Sequence, residues 1–453
     1  MSDVAAPHRR SRFAWLPLLF ALAGFLFDLA AYWPGQMSFD SAYAWWQARG
    51  GATTDIVPPV FVLAWRACDA LVGGPGLLFA LHLALFWSGL ALLAHALRPR
   101  AATMLATMLI VAFAPVPLLL RGHVWTDVAL FSTLTFASGA LACAQAGSRR
   151  WLLPAVLAVL HAGLLRHNAL PALLPFALWF AWLALRGSRD ANAPSKMRVG
   201  MLATGLLGSM VIANGLLDRG VQRTVPLWTS LAQFDLAAMS IATDRMWLPE
   251  FMIGAGLDVA ELAAAFRGWS NVPMLQNTEH GMLDPLSAEY SAEQLASLRT
   301  AWIAAITEAP GAWLAHRWRL TQALFGAKSP EWPRELVYVD DVVGYRDNPP
   351  VGRNTTTLHA GVMRHAARLV DTSVLAAWPC LLAGLVAAPL AWRRRRDAAG
   401  TTGLTVFASA WLYALPLCAL APSAELRYLG WPCVASLLAL ACAAFAPRSG
   451  TQV

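Results

Sequence analysis

The chain has 453 residues, of which 58% are hydrophobic and 13% are charged, and its mean hydropathy is +0.51. A soluble domain carries about a quarter charged residues, so this composition excludes a wholly soluble protein and indicates that most of the chain lies in lipid. The net charge of +8 does not indicate a nucleic-acid partner, because the arginines fall in short clusters between apolar runs rather than along one face.

Apolar runs that can span the hydrocarbon core, which is about 30 Å thick, recur along the chain. They cover 13–33, 77–97, 101–120, 128–147, 151–165, 168–186, 199–216, 371–392, 401–421 and 428–446. The first run is too long for a secretory signal and lacks a clear cleavage site, so we expect a retained helix. The runs within 151–186 are short, which leaves a full crossing or a half-embedded pair open. The sequence predicts an all-α polytopic membrane protein with about ten transmembrane helices.

Basic clusters set the predicted orientation of these runs. They lie at 8–12, 98–100, 149–150, 186–198, 393–396 and 448. Each cluster precedes the first run or follows an even-numbered one. The positive-inside rule therefore places both termini on the cytoplasmic side of a bacterial inner membrane. The predicted organisation is an N-terminal transmembrane module at 1–216 with a first outer loop at 34–76, a periplasmic domain at 217–370 and a C-terminal transmembrane module at 371–453.

The first outer loop contains an apolar stretch at 57–72 that is too short and too polar to span the membrane comfortably. We predict a helix that lies on the membrane surface and begins at Pro58-Pro59.

The segment 217–370 has an ordinary soluble composition and no cysteine. Its helical periodicity is clearest from Ser291 to Leu324, and Pro310-Gly311 is expected to divide that stretch into two helices. We therefore predict a mainly helical periplasmic domain. All six cysteines lie in or beside apolar segments elsewhere, which indicates neither a disulfide framework nor a thiolate metal site.

Four arginines violate the topology rule, because they lie near membrane boundaries on the face that should be poor in positive charge. They are Arg49, Arg121, Arg166 and Arg427. The planar guanidinium group fits phosphate, so these residues predict a site for a lipid phosphate or diphosphate headgroup. Alternatively, each pairs with a nearby acid, Arg121 with Asp127 or Arg427 with Glu425, and anchors a helix end.

Two aspartates occupy the outer loops at predicted helix starts. Asp40 follows the Pro34-Gly35 turn, and Asp127 ends the second outer loop, which also contains His123. Two carboxylates on one membrane face can act as a general base and as a second base, metal ligand or orienting group. Each aspartate can also be only a helix cap or first-turn acid, and a lone interfacial histidine is commonly structural.

The predicted periplasmic domain adds polar candidates for contact with a hydrophilic acceptor, although a solvated surface is the default for all of them. They are Asp235, Asp244, Arg245, Glu279, His280, His316, Arg317, Asp340 and Asp341. The domain is also rich in tryptophan, at Trp228, Trp247, Trp269, Trp302, Trp313, Trp318 and Trp332. These indoles can stack on sugar rings, but for most of them we expect a place in a core or at the membrane interface.

Five short motifs follow one another on the predicted outer face. They are Trp33-Pro34-Gly35-Gln36-Met37-Ser38-Phe39-Asp40-Ser41, Val57-Pro58-Pro59, Trp125-Thr126-Asp127, Arg166-His167-Asn168 and Glu425-Leu426-Arg427-Tyr428. The series resembles the outer-face motifs of the GT-C superfamily, the polyprenyl-phosphate-sugar-dependent integral membrane glycosyltransferases that include protein mannosyltransferases and aminoarabinose transferases. The chain departs from the pattern at Val57, where many members have histidine, and in lacking a second acid beside Asp40.

The resemblance implies a GT-C-like fold and a glycosyltransferase that moves a sugar from a polyprenyl-phosphate donor to a glycan, lipid or protein acceptor on the periplasmic side, with inversion. It implies Asp40 and Asp127 as the catalytic pair, and Arg166 and Arg427 as ligands of the lipid-linked phosphate. The remaining substrate-binding candidates are Arg121, His123, Asn168 and Tyr428. No metal ligand is assigned, and a divalent cation such as Mg²⁺ or Mn²⁺ is left open as a cofactor.

Two other functions use similar features. A transporter or flippase of lipid-linked saccharide would also need outer arginines and aromatic residues, but it is expected to show internal duplication and charges at the membrane midplane. We find no duplication, and apart from Asp28 the runs are nearly free of acids. An O-antigen polymerase or ligase also has an outer catalytic loop, and hydropathy does not distinguish it.

Overall fold

The computed structural model describes residues 15–97, 101–186, 194–254, 256–276, 282–327 and 344–445. Within these ranges the regular structure is helical, with isolated β-bridges only. The first helices are α1 (Leu16–Tyr32), α2 (Phe39–Ala48), α3 (Pro59–Leu71), α4 (Gly76–Leu97), α5 (Ala101–Phe113), α6 (Pro115–Leu120), α7 (Thr126–Gln145), α8 (Leu152–Leu165), α9 (Leu170–Leu185) and α10 (Lys196–Asp218). They are followed by α11 (Trp228–Thr243), α12 (Val259–Ala265), α13 (Val272–Gln276), α14 (Ala292–Glu308), α15 (Pro310–Phe325), α16 (Thr357–Leu369), α17 (Trp378–Arg393), α18 (Ala398–Leu420) and α19 (Gly430–Phe445).

Six helical segments in the described residues are long and apolar enough to cross a membrane. They are Gly76–Leu97, Thr126–Gln145, His167–Leu185, Lys196–Asp218, Ala398–Leu420 and Leu426–Ala443. Three further apolar helices are shorter, at Leu16–Tyr32, Thr103–Phe113 and Trp378–Arg393. The chain is therefore a multi-pass, all-helical membrane protein. Ten full crossings stay a prediction, because α8 has 14 residues and is only about 21 Å long.

The run at 101–120, which we expected to be one crossing, is divided into α5 and α6. The break falls at Ala114, whose backbone is extended (φ −57°, ψ 140°) immediately before Pro115. A residue that precedes proline is pushed out of the helical region by the proline ring, so the interruption follows from the sequence. As a result, the end of α6 directs Arg121 and the second outer loop toward α1 and α7.

Two predicted helix boundaries are confirmed. A helix, α3, begins at Pro59 within 57–72, and it buries Phe61 and Trp65 against the rest of the protein. Its location on the membrane surface stays a prediction. In the segment 217–370, α14 ends at Glu308 and α15 begins at Pro310, which is the division expected from Pro310-Gly311. Proline is favoured in the first turn of a helix because its missing N–H group has no intrahelical partner there.

Two pairs of connections define opposite ends of the helix bundle. Gln36 of the first outer loop donates its backbone N–H to the Gly122 carbonyl of the second, at 2.8 Å. At the opposite end, Arg149 donates to the carbonyl oxygen of Arg186 at 2.6 Å, so these two basic connections lie together. We call the first of these the outer end. Its periplasmic location stays a prediction from charge.

The segment between α10 and α17 covers the outer end. Helix α11 packs against α14 and α15, and α15 packs against α18. Helix α16 begins at the end of α1, where the Thr356 hydroxyl donates to the Ala30 carbonyl at 3.2 Å and the Asn354 amide donates to the same oxygen at 3.1 Å. The described part of this segment therefore packs beside the loops that carry the candidate site residues.

Candidate functional site

The first two outer loops are joined through their backbones. In addition to the Gln36–Gly122 bond, Val124 donates its N–H to the Gln36 carbonyl at 3.0 Å. A Cβ atom at Gly122 would lie 2.6 Å from the Gln36 side-chain oxygen and 2.6 Å from the Tyr32 ring. Only glycine fits this close approach, and it brings the segments before Asp40 and Asp127 side by side.

The start of α2 is held against the second outer loop. The Trp125 indole donates to the Ser38 hydroxyl at 2.8 Å, and the Ser41 hydroxyl donates to the Val124 carbonyl at 2.9 Å. Ser38, not Asp40, occupies the N-cap position of α2. Asp40 therefore lies in the first helical turn with its carboxylate directed away from the backbone, and its side chain is 55% exposed.

Predicted site residues from four distant parts of the chain meet at this point. Arg427 binds the Asp40 carboxylate through Nη1 and the Glu425 carboxylate through Nε, and Arg166 binds the Asp127 carboxylate through Nη1. We call these five residues the outer ion-pair cluster. Three of its pairs are charge-assisted hydrogen bonds, which are the stronger class in proteins.

Aromatic and amide groups complete the cluster. The Tyr428 ring contacts both guanidinium groups, with its centroid 5.6 Å from Cζ of Arg166 and 5.5 Å from Cζ of Arg427. Trp125 lies 5.1 Å from Cζ of Arg427, and the Nε of Arg166 donates to the Asn168 side-chain oxygen at 3.3 Å. The predicted members Asn168 and Tyr428 thus contact the two arginines directly.

The guanidinium groups keep N–H donors for a further ligand. The side chains of Arg166 and Arg427 are 19% and 15% exposed, and within the described residues neither Nη2 has a hydrogen-bond partner. The cluster contains two cationic and three anionic groups, so an incoming anion competes with the carboxylates for the guanidinium N–H groups. Of the three carboxylates, that of Asp40 is the most exposed, so its release into water costs the least free energy.

His123 is part of the framework beneath the cluster. Its ring is stacked on Trp125 with 3.9 Å between centroids, and its Nδ1 faces the carbonyls of Leu119 and Leu120 at 3.1 and 3.3 Å. Burial lowers the pKa of His123 to about 3, so the imidazole is neutral at physiological pH. These contacts favour the structural interpretation of His123 over a role in proton transfer.

Arg121 lies elsewhere, and we remove it from the set of substrate ligands. It is fully buried between helices, where its Nε binds Asp28 at 2.9 Å and its Nη1 donates to the Ala112 carbonyl at 2.5 Å. The alternative pair of Arg121 with Asp127 is not formed either, because Asp127 binds Arg166. Asp28 is the feature of the sequence that could have indicated a buried role for Arg121, since an acid inside an apolar run requires a buried partner.

Arg49 also lies outside the cluster, at the other end of α2. Its Nη1 donates to the Asp347 carbonyl at 2.9 Å and to the Asn348 side chain at 3.3 Å.

Glu425 is the member of the cluster whose role the sequence did not indicate. Besides Arg427 it accepts hydrogen bonds from the Ser423 hydroxyl at 2.7 Å and from the Tyr428 hydroxyl at 3.3 Å. The sequence presented it only as an alternative partner for Arg427, and that pair is present together with the Arg427–Asp40 pair. Its position two residues before Arg427, in one outer motif, is the feature of the sequence that could have indicated this role.

Three acceptor candidates of the soluble segment form a buried network instead of a solvated surface. Asp235 is fully buried and accepts from the indole N–H groups of Trp302 and Trp313, each at 3.0 Å. Arg317 forms an ion pair with Asp235 and donates to the Ala421 carbonyl at 2.7 Å. His316 lies in the same network, and burial together with the charge of Arg317 lowers its pKa to about 3.

This network excludes Asp235, His316 and Arg317 from direct acceptor contact and joins α11 and α15 to the end of α18. Of the other candidates, Arg245 forms a surface ion pair with Glu308 at 2.9 Å, and Asp244 is exposed at the end of α11. Glu279, His280, Asp340, Asp341 and Trp332 lie outside the described residues.

The donor set of the cluster does not fit a divalent cation. Among the residues that the structure describes, no group of three or more histidine, cysteine or acidic side chains is arranged to hold a metal. The carboxylates of Asp40, Asp127 and Glu425 face guanidinium groups, which supply the positive charge that a cation would bring. We therefore derive no step through Mg²⁺ or Mn²⁺.

The chain matched no protein family, no curated protein and no solved structure.

Proposed function

We propose that the chain is a membrane glycosyltransferase of the GT-C type that transfers a sugar, with inversion, from a polyprenyl-phosphate donor to an acceptor at the outer end. The observation that carries this proposal is the convergence of Asp40, Asp127, Arg166 and Arg427. They come from four separate parts of the chain, and Asp40 and Arg427 are 387 positions apart in the sequence, yet the four residues form one cluster of ion pairs. A cluster of acids and guanidinium groups at the ends of apolar helices suits a lipid-linked anion.

Asp40 is the proposed general base. Its side chain is the most exposed of the three acids in the cluster, at 55%, against 6% for Asp127 and 19% for Glu425. In the proposed reaction the acceptor hydroxyl attacks the anomeric carbon while the bond between that carbon and the phosphate oxygen breaks. The hydroxyl proton passes to Asp40, and the electron pair of the broken bond leaves on the polyprenyl phosphate.

Arg166 and Arg427 are the proposed phosphate ligands. Negative charge grows on the phosphate as it leaves, and guanidinium groups already oriented toward that position stabilise the transition state. The binding of phosphate to Arg427 also releases Asp40 from its ion pair. In this scheme the donor therefore frees the base, so that proton abstraction is coupled to the presence of the leaving group.

Asp127 and Glu425 are proposed as positioning residues. Asp127 is 5% exposed and bound to Arg166, and Glu425 binds the Nε of Arg427. Each carboxylate fixes the orientation of one guanidinium group, which leaves the Nη2 atoms available to the donor. Proximity and orientation of this kind account for a large share of catalysis in general.

The test is sugar transfer in membranes, measured with radiolabelled polyprenyl-phosphate sugars, for wild type and Asp40→Asn. We expect the asparagine variant to lose transfer by about 10²-fold or more, as for removal of a general base. Asp258→Asn is the matched control, because Asp258 caps α12 through a 2.8 Å bond to the Glu261 N–H and asparagine caps equally well. Unaltered turnover of Asp40→Asn would remove Asp40 from the mechanism.

The same membranes separate the alternative functions. A flippase would move a labelled lipid-linked saccharide between leaflets without forming a glycosidic bond, and Asp40→Asn would leave that movement intact. A polymerase or ligase would require a diphosphate-linked glycan as donor. We therefore expect the monophosphate donor, and not the diphosphate one, to support transfer.

A further inference from the structure

Aromatic side chains line the surface next to Asp40. Phe39, Tyr43 and Trp46 are spaced by four and three residues in α2, so they share one face of that helix. Tyr345 packs edge-on against all three, with centroid distances of 5.3, 5.4 and 5.6 Å. We call these four residues the aromatic platform.

The platform is held rigid by polar contacts at its edges. The Tyr43 hydroxyl is hydrogen-bonded to the Thr54 hydroxyl at 3.1 Å, and the Asn348 amide donates to the Ala42 carbonyl at 2.8 Å. The Arg49 contact with the Asp347 carbonyl fixes the same loop to α2. A ligand that binds to fixed rings does not have to order them first, which lowers the cost of binding.

Phe39 is 58% exposed, although burial of an aromatic ring is favourable. It immediately precedes Asp40 in the sequence, and the two side chains project from the same first turn of α2. Arg346 lies over Trp46 with its Cζ 4.2 Å from the ring centroid, so N–H donors border the platform. The surface combines an exposed ring, fixed neighbouring rings and hydrogen-bond donors beside the proposed base.

We propose that the aromatic platform binds a pyranose ring of a saccharide acceptor, which stacks on Phe39 and directs a hydroxyl group toward Asp40. The negative face of an aromatic ring attracts the weakly positive C–H groups on one face of a sugar, and the charged edge of the platform takes the hydroxyls. This inference rests on the proposed function for its orientation toward Asp40. It names the acceptor class as a glycan or a glycan-bearing lipid.

A second explanation for an exposed Phe39 is insertion into the membrane interface. The two explanations differ in what they require of the side chain. Interface insertion needs an apolar side chain, so Phe39→Leu retains it. Sugar stacking needs an aromatic face, so Phe39→Leu loses it while Phe39→Tyr and Phe39→Trp retain it.

The test is saturation-transfer NMR on the full chain in lipid nanodiscs, with chitotriose, mannotriose and galactotriose as probes. We expect at least one triose to receive saturation at its ring C–H protons, and Phe39→Leu to weaken its Kd by about three- to tenfold, as for loss of one aromatic contact. Trp318→Ala, which removes an indole 63% exposed on α15, is the matched control and should not change binding. Equal binding by wild type and Phe39→Leu, or no binding of any of the three trioses, would overturn the proposal.

Asp40→Asn separates this proposal from the proposed function. Triose binding by Asp40→Asn without transfer supports both. Phe39-dependent binding in a wild-type protein that transfers no sugar keeps the platform and rejects the glycosyltransferase. Transfer that proceeds with the same KM for acceptor in wild type and Phe39→Leu rejects the platform and keeps the glycosyltransferase.

Discussion

Arg427 and Asp40 form an ion pair across 387 positions of sequence. Arg427 also binds Glu425, so one guanidinium group joins the first outer loop to the last. The side chain of Asp40 is more than half exposed, whereas that of Arg427 is mostly buried. A largely buried guanidinium group thus holds the Asp40 carboxylate at the surface, in contact with water. This ion pair is the central contact of the proposed site.

Replacement of Arg427 by lysine should abolish most of the transfer activity. Lysine keeps the charge but presents one ammonium group, so it lacks the planar fork that can hold Glu425 through one nitrogen while the other two bind a phosphate. We expect kcat to fall by about 10²-fold, the usual effect of removing one preorganised donor to a developing anion. Steady-state transfer assays with purified protein measure this. A lysine variant with a nearly wild-type kcat would show that only charge is required.

Asp127 and Arg166 should behave as one unit in a double-mutant cycle. If Asp127 acts only by orienting Arg166, then Asp127→Asn adds no further loss once Arg166→Gln has been made. We expect a coupling free energy of about 1–3 kcal/mol from the transfer rates of the two single variants and the double variant. Additive losses would instead indicate that Asp127 contacts the substrate independently.

The Asp28–Arg121 pair should govern stability rather than substrate affinity. Both side chains are fully buried, and Trp87 donates to the same carboxylate at 2.7 Å. Arg121→Met leaves Asp28 without its cationic partner, and we expect a loss of about 3–5 kcal/mol in the free energy of unfolding. The double variant Asp28→Leu, Arg121→Met removes both charges and should recover much of that loss.

Thermal unfolding in detergent measures these differences, and folded Arg121→Met should retain the wild-type KM for the donor. A raised donor KM in protein of wild-type stability would return Arg121 to the set of phosphate ligands.

His316 should make the protein less stable in acid. Burial lowers its pKa from the ordinary value of 6.5 to about 3, so between these limits the unfolded chain binds the proton and the folded chain does not. The stabilisation is therefore complete above pH 6.5 and is lost as the pH falls toward 3, by about 1.4 kcal/mol per pH unit for one group. His316→Gln should unfold with a weaker dependence on pH between 7 and 5, in detergent where acid does not alter the lipid.

His123 contributes in the same direction, so the pH dependence of the variant should be reduced and not eliminated. His365, which is exposed on α16, provides the matched control His365→Gln. Identical pH profiles for wild type and His316→Gln would contradict the buried neutral state of His316.

Local features were accessible to sequence reasoning because they depend on neighbours in the chain. Apolar runs of sufficient length form the long helices, and the proline at 310 divides α14 from α15. Pro115 likewise ends α5 at the preceding residues, so a prediction of one span at 101–120 from hydropathy and length alone is wrong. The side of the membrane on which each loop lies stays a prediction from charge, although the basic connections at Arg149 and Arg186 do lie together.

The sequence by itself determined that this is a multi-pass helical protein, and it singled out Asp40, Asp127, Arg166 and Arg427 as candidates near helix ends. Only the tertiary structure decided the pairing: Arg166 binds Asp127, Arg427 binds Asp40, and Arg121 turns inward to Asp28. The physical reason is the range in sequence over which the different interactions act. Helix formation and hydropathy act over a few residues, whereas an ion pair depends on how packed helices bring side chains together, and a buried charge takes the nearest partner that burial allows.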